Sequence, residues 1–154
     1  MAQQLRKAIA MSTLVAALAL VAAVIPAYGQ TARTTRANVP FDFVVGNTNF
    51  SAGAYEIAMV SGTAETLRVK NLETQKAIYR LSTSLGIPST DVSKLVFHRY
   101  GSQYFLAEVW GNDRARQIAK SKAETAAAHE IADVRARGGM APSYERVEVL
   151  AIVR

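Results

Sequence analysis

The chain of 154 residues contains no cysteine. This absence excludes disulfide bonds, thiolate metal ligands, cysteine nucleophiles and a lipid anchor attached through a cysteine. Exported proteins normally have disulfides available to them, so a cysteine-free exported domain must be stabilised by the burial of its core.

The sequence also lacks the motifs of the common enzyme classes. It has no G-x-S-x-G nucleophile elbow, no Walker loop and no G-x-G-x-x-G dinucleotide motif. Its two histidines, His98 and His129, lie far apart, one on a predicted strand and one on a predicted helix, whereas a catalytic metal site usually needs three or more ligands. We therefore predict no catalytic residue, no metal site and no cofactor.

The first 29 residues have the three-part pattern of a secretory signal peptide. Arg6 and Lys7 form the basic region, residues 8–25 form an apolar run, and Ala27 and Gly29 supply the small side chains before a cleavage site. We predict cleavage after residue 29 and export to the periplasm or the extracellular space. The alternative is a retained anchor, because the apolar run is close to the shortest length that spans a bilayer. With cleavage, no stable membrane span is expected.

Size and charge favour a single domain without a nucleic-acid partner. The net charge is +6, and the excess of basic residues is mild and dispersed. Residues 30–38 are polar and without periodicity, so we predict a flexible leader there. Residues 39–154 are expected to form one β-rich domain.

Short alternating segments separated by turn signals dominate residues 39–119. Seven or eight strands at roughly ten-residue spacing are typical of an antiparallel sandwich or a small barrel. A single late helix is predicted over about 122–137, because Ser121 and Glu124 form an S-x-x-E capping box, in which the glutamate reaches back to the cap N–H. Its apolar face would contain the following residues: Ala123, Ala127, Ile131 and Val134.

The stretch VFHRYGSQYFLAEVW, residues 96–110, predicts a hairpin. Gly101-Ser102 suits a type II′ turn. The resulting register pairs Arg99 with Tyr104, His98 with Phe105, Phe97 with Leu106, and Val96 with Ala107, and it puts Glu108 opposite Leu95, on the other sheet face from His98.

Four aromatic side chains of this hairpin are the candidate ligand-binding residues: Tyr100, Tyr104, Phe105 and Trp110. They are of the type that lines an apolar pocket in the mouth of a barrel. The alternative is that they form the hydrophobic core. A hydrolase would need paired carboxylates, for which Glu56, Glu65 and Glu108 are candidates, or a base at His98 with an orienting carboxylate.

Three segments of the chain resemble a group of small exported bacterial proteins. They are V-P-F-x-F-x-V-G from Val39, A-G-x-Y-x-I from Ala52, and L-V-F-H-R-Y-G-x-x-Y-F-L from Leu95. The resemblance covers residues 39 to about 124 and implies export. It implies no catalytic residue, because none is assigned in that group.

Three functions remain open from the sequence. The leading one is an exported, non-enzymatic domain that binds a small apolar ligand or an envelope partner. The second is a structural or assembly protein that pairs through a sheet edge, with an oligomeric state that the sequence leaves undetermined. The third is a hydrolase with an unrecognised carboxylate or histidine site.

Overall fold

The computed structural model describes residues 34–60, 65–88, 92–111, 114–138 and 144–154. The predicted signal peptide, and residues 30–33 of the predicted leader, lie outside these ranges. The fold is mainly β, with one helix among the described residues. The elements, in chain order, are β1 Thr34–Val39, β2 Phe43–Val45, β3 Thr48–Phe50, β4 Gly53–Met59, β5 Thr66–Asn71, β6 Ala77–Gly86, β7 Lys94–Tyr100, β8 Gln103–Trp110, β9 Ala115–Ile118, α1 Lys122–Ala136, β10 Glu145–Leu150 and β11 Ile152–Val153.

The strands form one 11-stranded sheet in the order β10-β7-β8-β9-β6-β5-β4-β1-β11, with β2 and β3 beside this path. The pairs along the path are antiparallel. The contact of β2 with β8 is parallel, so the sheet is mixed. It has 11 strands, whereas the sequence predicted an antiparallel arrangement of seven or eight.

The last strands connect both ends of this order. β10 pairs with β7, β11 pairs with β1, and Ala151 alone separates them. The Ala151 N–H donates to the Ser93 carbonyl at 2.9 Å, and the Arg154 N–H donates to the Thr34 carbonyl at the same distance. The C-terminal segment therefore bonds with elements from the two ends of the strand order.

Alternation of apolar residues along the strands builds the main core. Leu67 and Val69 of β5 and Tyr55 and Ile57 of β4 are all at most 2% exposed, as the pattern of the sequence predicts. The β2–β3 hairpin contributes Phe43 and Phe50 to the same cluster. The rings of Phe43, Phe50, Tyr55 and Phe97 pack edge-on or stacked at centroid distances of 4.8–5.8 Å. These four aromatic side chains lie together in the main core.

The predicted leader is wrong for residues 34–38, which lie in β1. Thr35, Ala37 and Val39 are buried at alternate positions, and β1 pairs with β4 over six residues. Arg36, on the other face, donates to Glu56 of β4. The sequence does alternate between buried and exposed positions in β1. The hydrophobic pattern is weak, however, because two of the buried side chains are small or polar.

The β7–β8 hairpin is confirmed, with one change of register. Gly101 has φ 61°, and Gln75 is the only non-glycine residue with positive φ among the described residues. This combination is that of a type II′ turn. The pairs from Tyr100↔Gln103 to Phe97↔Leu106 are as predicted, but the register then shifts, so that Val96 pairs with Glu108 and Leu95 with Val109.

The shift makes Ala107 the extra residue of a β-bulge, and the predicted pair of Val96 with Ala107 is therefore wrong. The predicted position of Glu108 opposite Leu95 is also wrong. Glu108 shares the sheet face of Val96 and His98, because opposed residues of an antiparallel pair lie on one face.

Helix α1 packs on the outer face of β7 and β8. Its Ala127 forms a small cluster with Tyr100 and Phe105, with Ala123 and Ile131 at the edge. Val134 is 50% exposed, so the predicted apolar face ends one turn early. In the part of the chain that the structure describes, no helix combines the length and hydropathy that crossing a bilayer requires.

Candidate functional site

A buried polar cluster lies between α1 and β7. Glu124, in the first turn of the helix, places its Oε1 2.9 Å from Nδ1 of His98. The hydroxyl of Tyr100 donates to the same oxygen at 3.3 Å. The side chains of His98 and Glu124 are 9% and 5% exposed, so both groups are largely removed from solvent.

The start of the helix orients the carboxylate of Glu124. Ser121 is the N-cap, and its Oγ accepts from the Glu124 N–H at 3.1 Å. This is one half of the predicted capping box. In a complete capping box the glutamate side chain would also accept from the backbone N–H of the N-cap residue. The Glu124 side chain instead extends to the sheet and contacts His98. The sequence motif therefore marks the helix start correctly and misses the second role of its glutamate.

Strand alternation brings His98 and Tyr100 to the helix. Leu95 and Phe97 are in the main core, so the side chains at the even positions of β7 lie on the opposite face. This geometry also explains why sequence reasoning gave His98 no acidic partner. No local pattern indicates this partner, because Glu124 is 26 positions away and is brought near by the return of the chain through α1.

Tyr144 and Lys120 complete the cluster, which we call the helix–sheet cluster: His98, Tyr100, Lys120, Glu124 and Tyr144. The Tyr144 ring lies 4.3 Å from the His98 ring, and Lys120 Nζ lies 5.8 Å from the Tyr144 ring. Lys120 Nζ also donates to the Tyr100 hydroxyl at 3.4 Å.

The protonation of Tyr100 follows from its surroundings. Burial raises the pKa of the Tyr100 phenol, and the neighbouring carboxylate of Glu124 raises it further, against the opposing effect of Lys120. The phenol is therefore neutral at neutral pH. It can donate to Glu124 and accept from Lys120 at the same time.

An apolar pocket of about 430 Å³ adjoins the cluster. We call it the helix pocket, and it is lined by Tyr100, Lys120, Ala128, Ile131, Ala132, Arg135, Ala136 and Tyr144. Its volume is at the lower end of the range of small-molecule sites, which is roughly 300–1,000 Å³. Mostly apolar walls with a few polar groups are also typical of such sites.

The structure separates the four predicted ligand-binding residues. Tyr100 lines the helix pocket. Phe105 packs beneath it, 2% exposed, with its ring centroid 5.8 Å from that of Tyr100. Tyr104 lies on the other sheet face and stacks on Phe41 at 4.0 Å. Trp110, at the end of β8, donates to Glu108 and lies under Lys94.

Tyr104 and Phe105 also border a second pocket, which we call the turn pocket, of about 570 Å³. Half of its lining is polar: Asp42, Asn47, Asn49, Ser51, Ser102 and Gln103. Such a surface is well hydrated, so an apolar molecule that binds there gains less free energy from burial than it would in the helix pocket.

Two of the three carboxylates considered for hydrolysis are engaged separately, and the third, Glu65, is exposed. Glu56 accepts from Arg36 and Arg68, and hydrogen bonding to Arg36, with the charges of both arginines, lowers the pKa of its carboxyl. Glu108 accepts from Trp110 and Arg146. The described residues contain no group of three potential metal ligands.

The His98–Glu124 pair has the geometry of an oriented imidazole, as a general base would require. The His98 ring is packed under Tyr144 and is absent from the lining of the helix pocket. This position suits a pair that fastens the helix to the sheet more than one that exchanges protons with a bound molecule.

Comparisons of the chain with models of protein families, with curated proteins and with solved structures find no match. The resemblance to small exported bacterial proteins therefore stays a prediction.

Proposed function

We propose that this chain is an exported ligand-binding domain that holds a small apolar molecule in the helix pocket. The observation that carries the proposal is the pocket itself, formed by Ala128, Ile131 and Ala132 of the helix, by Tyr100 of β7 and by Tyr144 just before β10. The helix–sheet cluster supports it, because the contact of Glu124 with His98 holds one wall against the other. Preformed walls lower the entropic cost of binding.

Export is part of the same proposal and is supported by the pattern of residues 1–29. N-terminal sequencing of protein taken from the culture or the envelope fraction of its host tests it. A mature chain that begins at Gln30 is expected. A chain that retains residues 1–29 in the membrane fraction would instead establish an anchor.

The scaffold of the proposed domain is a closed barrel. The proximity of β10 and β11 in sequence supports this, since they stand at opposite ends of the strand order and are separated by Ala151. Closure removes both exposed sheet edges. Hydrogen exchange tests it: the backbone N–H of Ala151 and Arg154 should exchange as slowly as those of the central strands.

Binding is tested with the neutral dye N-phenyl-1-naphthylamine. The dye is expected to bind with enhanced fluorescence to the chain and to lose binding in Ala132→Trp, because the indole fills the pocket. Ala126→Trp is the matched control, since Ala126 is also an exposed helix alanine but does not line the pocket. Equal binding by both variants would place the dye elsewhere, and no binding to the unaltered chain would overturn the function.

Self-association is a second candidate, favoured by an apolar stripe on β6 and the residue just after it. Tyr79, Leu81, Leu85 and Ile87 are 45–85% exposed, and contiguous exposed apolar surface marks interaction sites. The partner in this hypothesis is a second copy of the chain. Light scattering should then give a dimer that Leu81→Lys dissociates, and a monomer at all concentrations would exclude it.

A further inference from the structure

Two cationic side chains line the otherwise apolar helix pocket. Lys120 precedes the helix, and Arg135 lies in its last turn. Among the described residues, neither side chain takes part in an ion pair. A pocket with apolar walls and uncompensated positive charge is complementary to a molecule with an apolar body and a negative group.

The acidic group closest to Lys120 in the cluster is already engaged. Glu124 Oε1 contacts His98 at 2.9 Å and Tyr100 at 3.3 Å, and Tyr100 stands between this carboxylate and Lys120. The neutral phenol gives Lys120 an acceptor but no opposite charge. Among the residues that the structure describes, the ammonium group of Lys120 therefore has no direct ion-pair partner at the pocket wall.

The helix dipole disfavours an anion at this end of α1, so its partial charge must be compared with the charges of Lys120 and Arg135. The C-terminus of a helix carries the equivalent of about half a negative charge, which is screened within the last turn. Arg135 lies in that turn and offsets the dipole with a full positive charge. Lys120 adds a second positive charge, so the two cations of the pocket outweigh the partial charge of the dipole together with the single carboxylate of Glu124 behind Tyr100.

We propose that the helix pocket selects anionic amphiphiles, with a carboxylate held between Lys120 and Arg135 and an apolar body against Ala128, Ile131 and Ala132. This inference rests on the proposed function and adds the class of ligand. A guanidinium group binds a carboxylate through paired hydrogen bonds, which favours this head group over a neutral hydroxyl. A volume of about 430 Å³ suits a body with on the order of ten carbon atoms, at roughly 30 Å³ per small group.

The test compares decanoate with decan-1-ol, which has the same chain length and no charge. Each is titrated, below the concentration at which it aggregates, against N-phenyl-1-naphthylamine bound to the full mature chain. Decanoate is expected to compete about tenfold more strongly, and added salt should reduce this advantage because it screens exposed charges.

Arg135→Gln and Lys120→Gln should each weaken decanoate binding several-fold and change decan-1-ol binding much less, so that the ratio of the two affinities falls. Arg137→Gln is the matched control, because Arg137 follows the helix and does not line the pocket. Equal affinity for the two probes, or an equal effect of Arg135→Gln on both, would overturn the charge selection and leave the binding function intact. If neither probe binds and the dye does not bind, the binding function itself fails.

Discussion

Nδ1 of His98 lies 2.9 Å from Oε1 of Glu124, and the contact joins β7 to helix α1 across 26 positions of sequence. Both side chains are less than one tenth exposed. Within the helix only Glu124 and Ala127 are buried, so its apolar contact with the sheet is small. The polar contact therefore carries much of the attachment of the helix to the sheet.

The first prediction is that His98 and Glu124 are energetically coupled. His98→Ala and Glu124→Ala should each lower the free energy of unfolding by about 3 kcal/mol, because the remaining group stays buried without its partner. The double variant should cost less than the sum, by about 1–3 kcal/mol. Urea unfolding of the four proteins measures the coupling. His129→Ala, on the exposed side of the helix, is the control and should change little, and additive losses would contradict the coupling.

The hairpin and the His98 site show which features the sequence predicts. Gly101-Ser102 and the alternation around it specify the turn and the first four residue pairs because these interactions are local. The bulge at Ala107, where β8 changes its register with β7, has no local signal in the sequence. It changes the face of Glu108, so an argument from uniform alternation fails beyond it.

Contacts between distant elements were the hardest to predict. Strand β1 was missed because Thr35 and Ala37 are weak markers of burial. The partner of His98 was missed because the capping box explains Glu124 without any tertiary contact. Of the residues around the helix pocket, the sequence singles out only Tyr100, since the other walls come from alanines of α1 and from Tyr144, whose positions depend on how the helix crosses the sheet.

The second prediction concerns pH and Glu56. Arg36 and Arg68 lower the pKa of its carboxyl in the folded state. A lowered folded-state pKa contributes stability above the unfolded-state pKa, about 4.3, and this contribution is lost as the pH falls through the folded-state value. Unfolding followed from pH 7 to pH 3 should show a loss that Glu56→Gln reduces. Because both arginines are more than one third exposed, the effect should be modest and smaller at high salt. An unchanged pH profile in Glu56→Gln would contradict it.

The third prediction compares two turn glycines with similar positive φ angles. Gly46 has φ 66° and Gly101 has φ 61°. A Cβ at Gly46 would lie 2.9 Å from Cζ of Arg80, whereas a Cβ at Gly101 would meet nothing within 4 Å. Gly101→Ala should cost about 1 kcal/mol for the left-handed conformation alone. Gly46→Ala should cost more, because the Arg80 side chain must also move. Equal costs in chemical denaturation would show that Arg80 moves freely.

The last prediction is that the C-terminal strands are part of the folded domain. β10 pairs with β7 over six residues, and β11 bonds with β1, so a chain that ends at Tyr144 would leave two strands with unpaired edges. It would also remove Val147 and Val149, which pack against the main core. The truncated chain should lose its near-UV circular dichroism and its cooperative unfolding transition.

Leu150→Lys is the control, because Leu150 is 74% exposed and the backbone pairing survives the change. A truncated chain that still unfolds cooperatively as a monomer would show that the domain folds without β10 and β11. If it folds but has lost an oligomeric state of the full chain, these strands serve assembly instead.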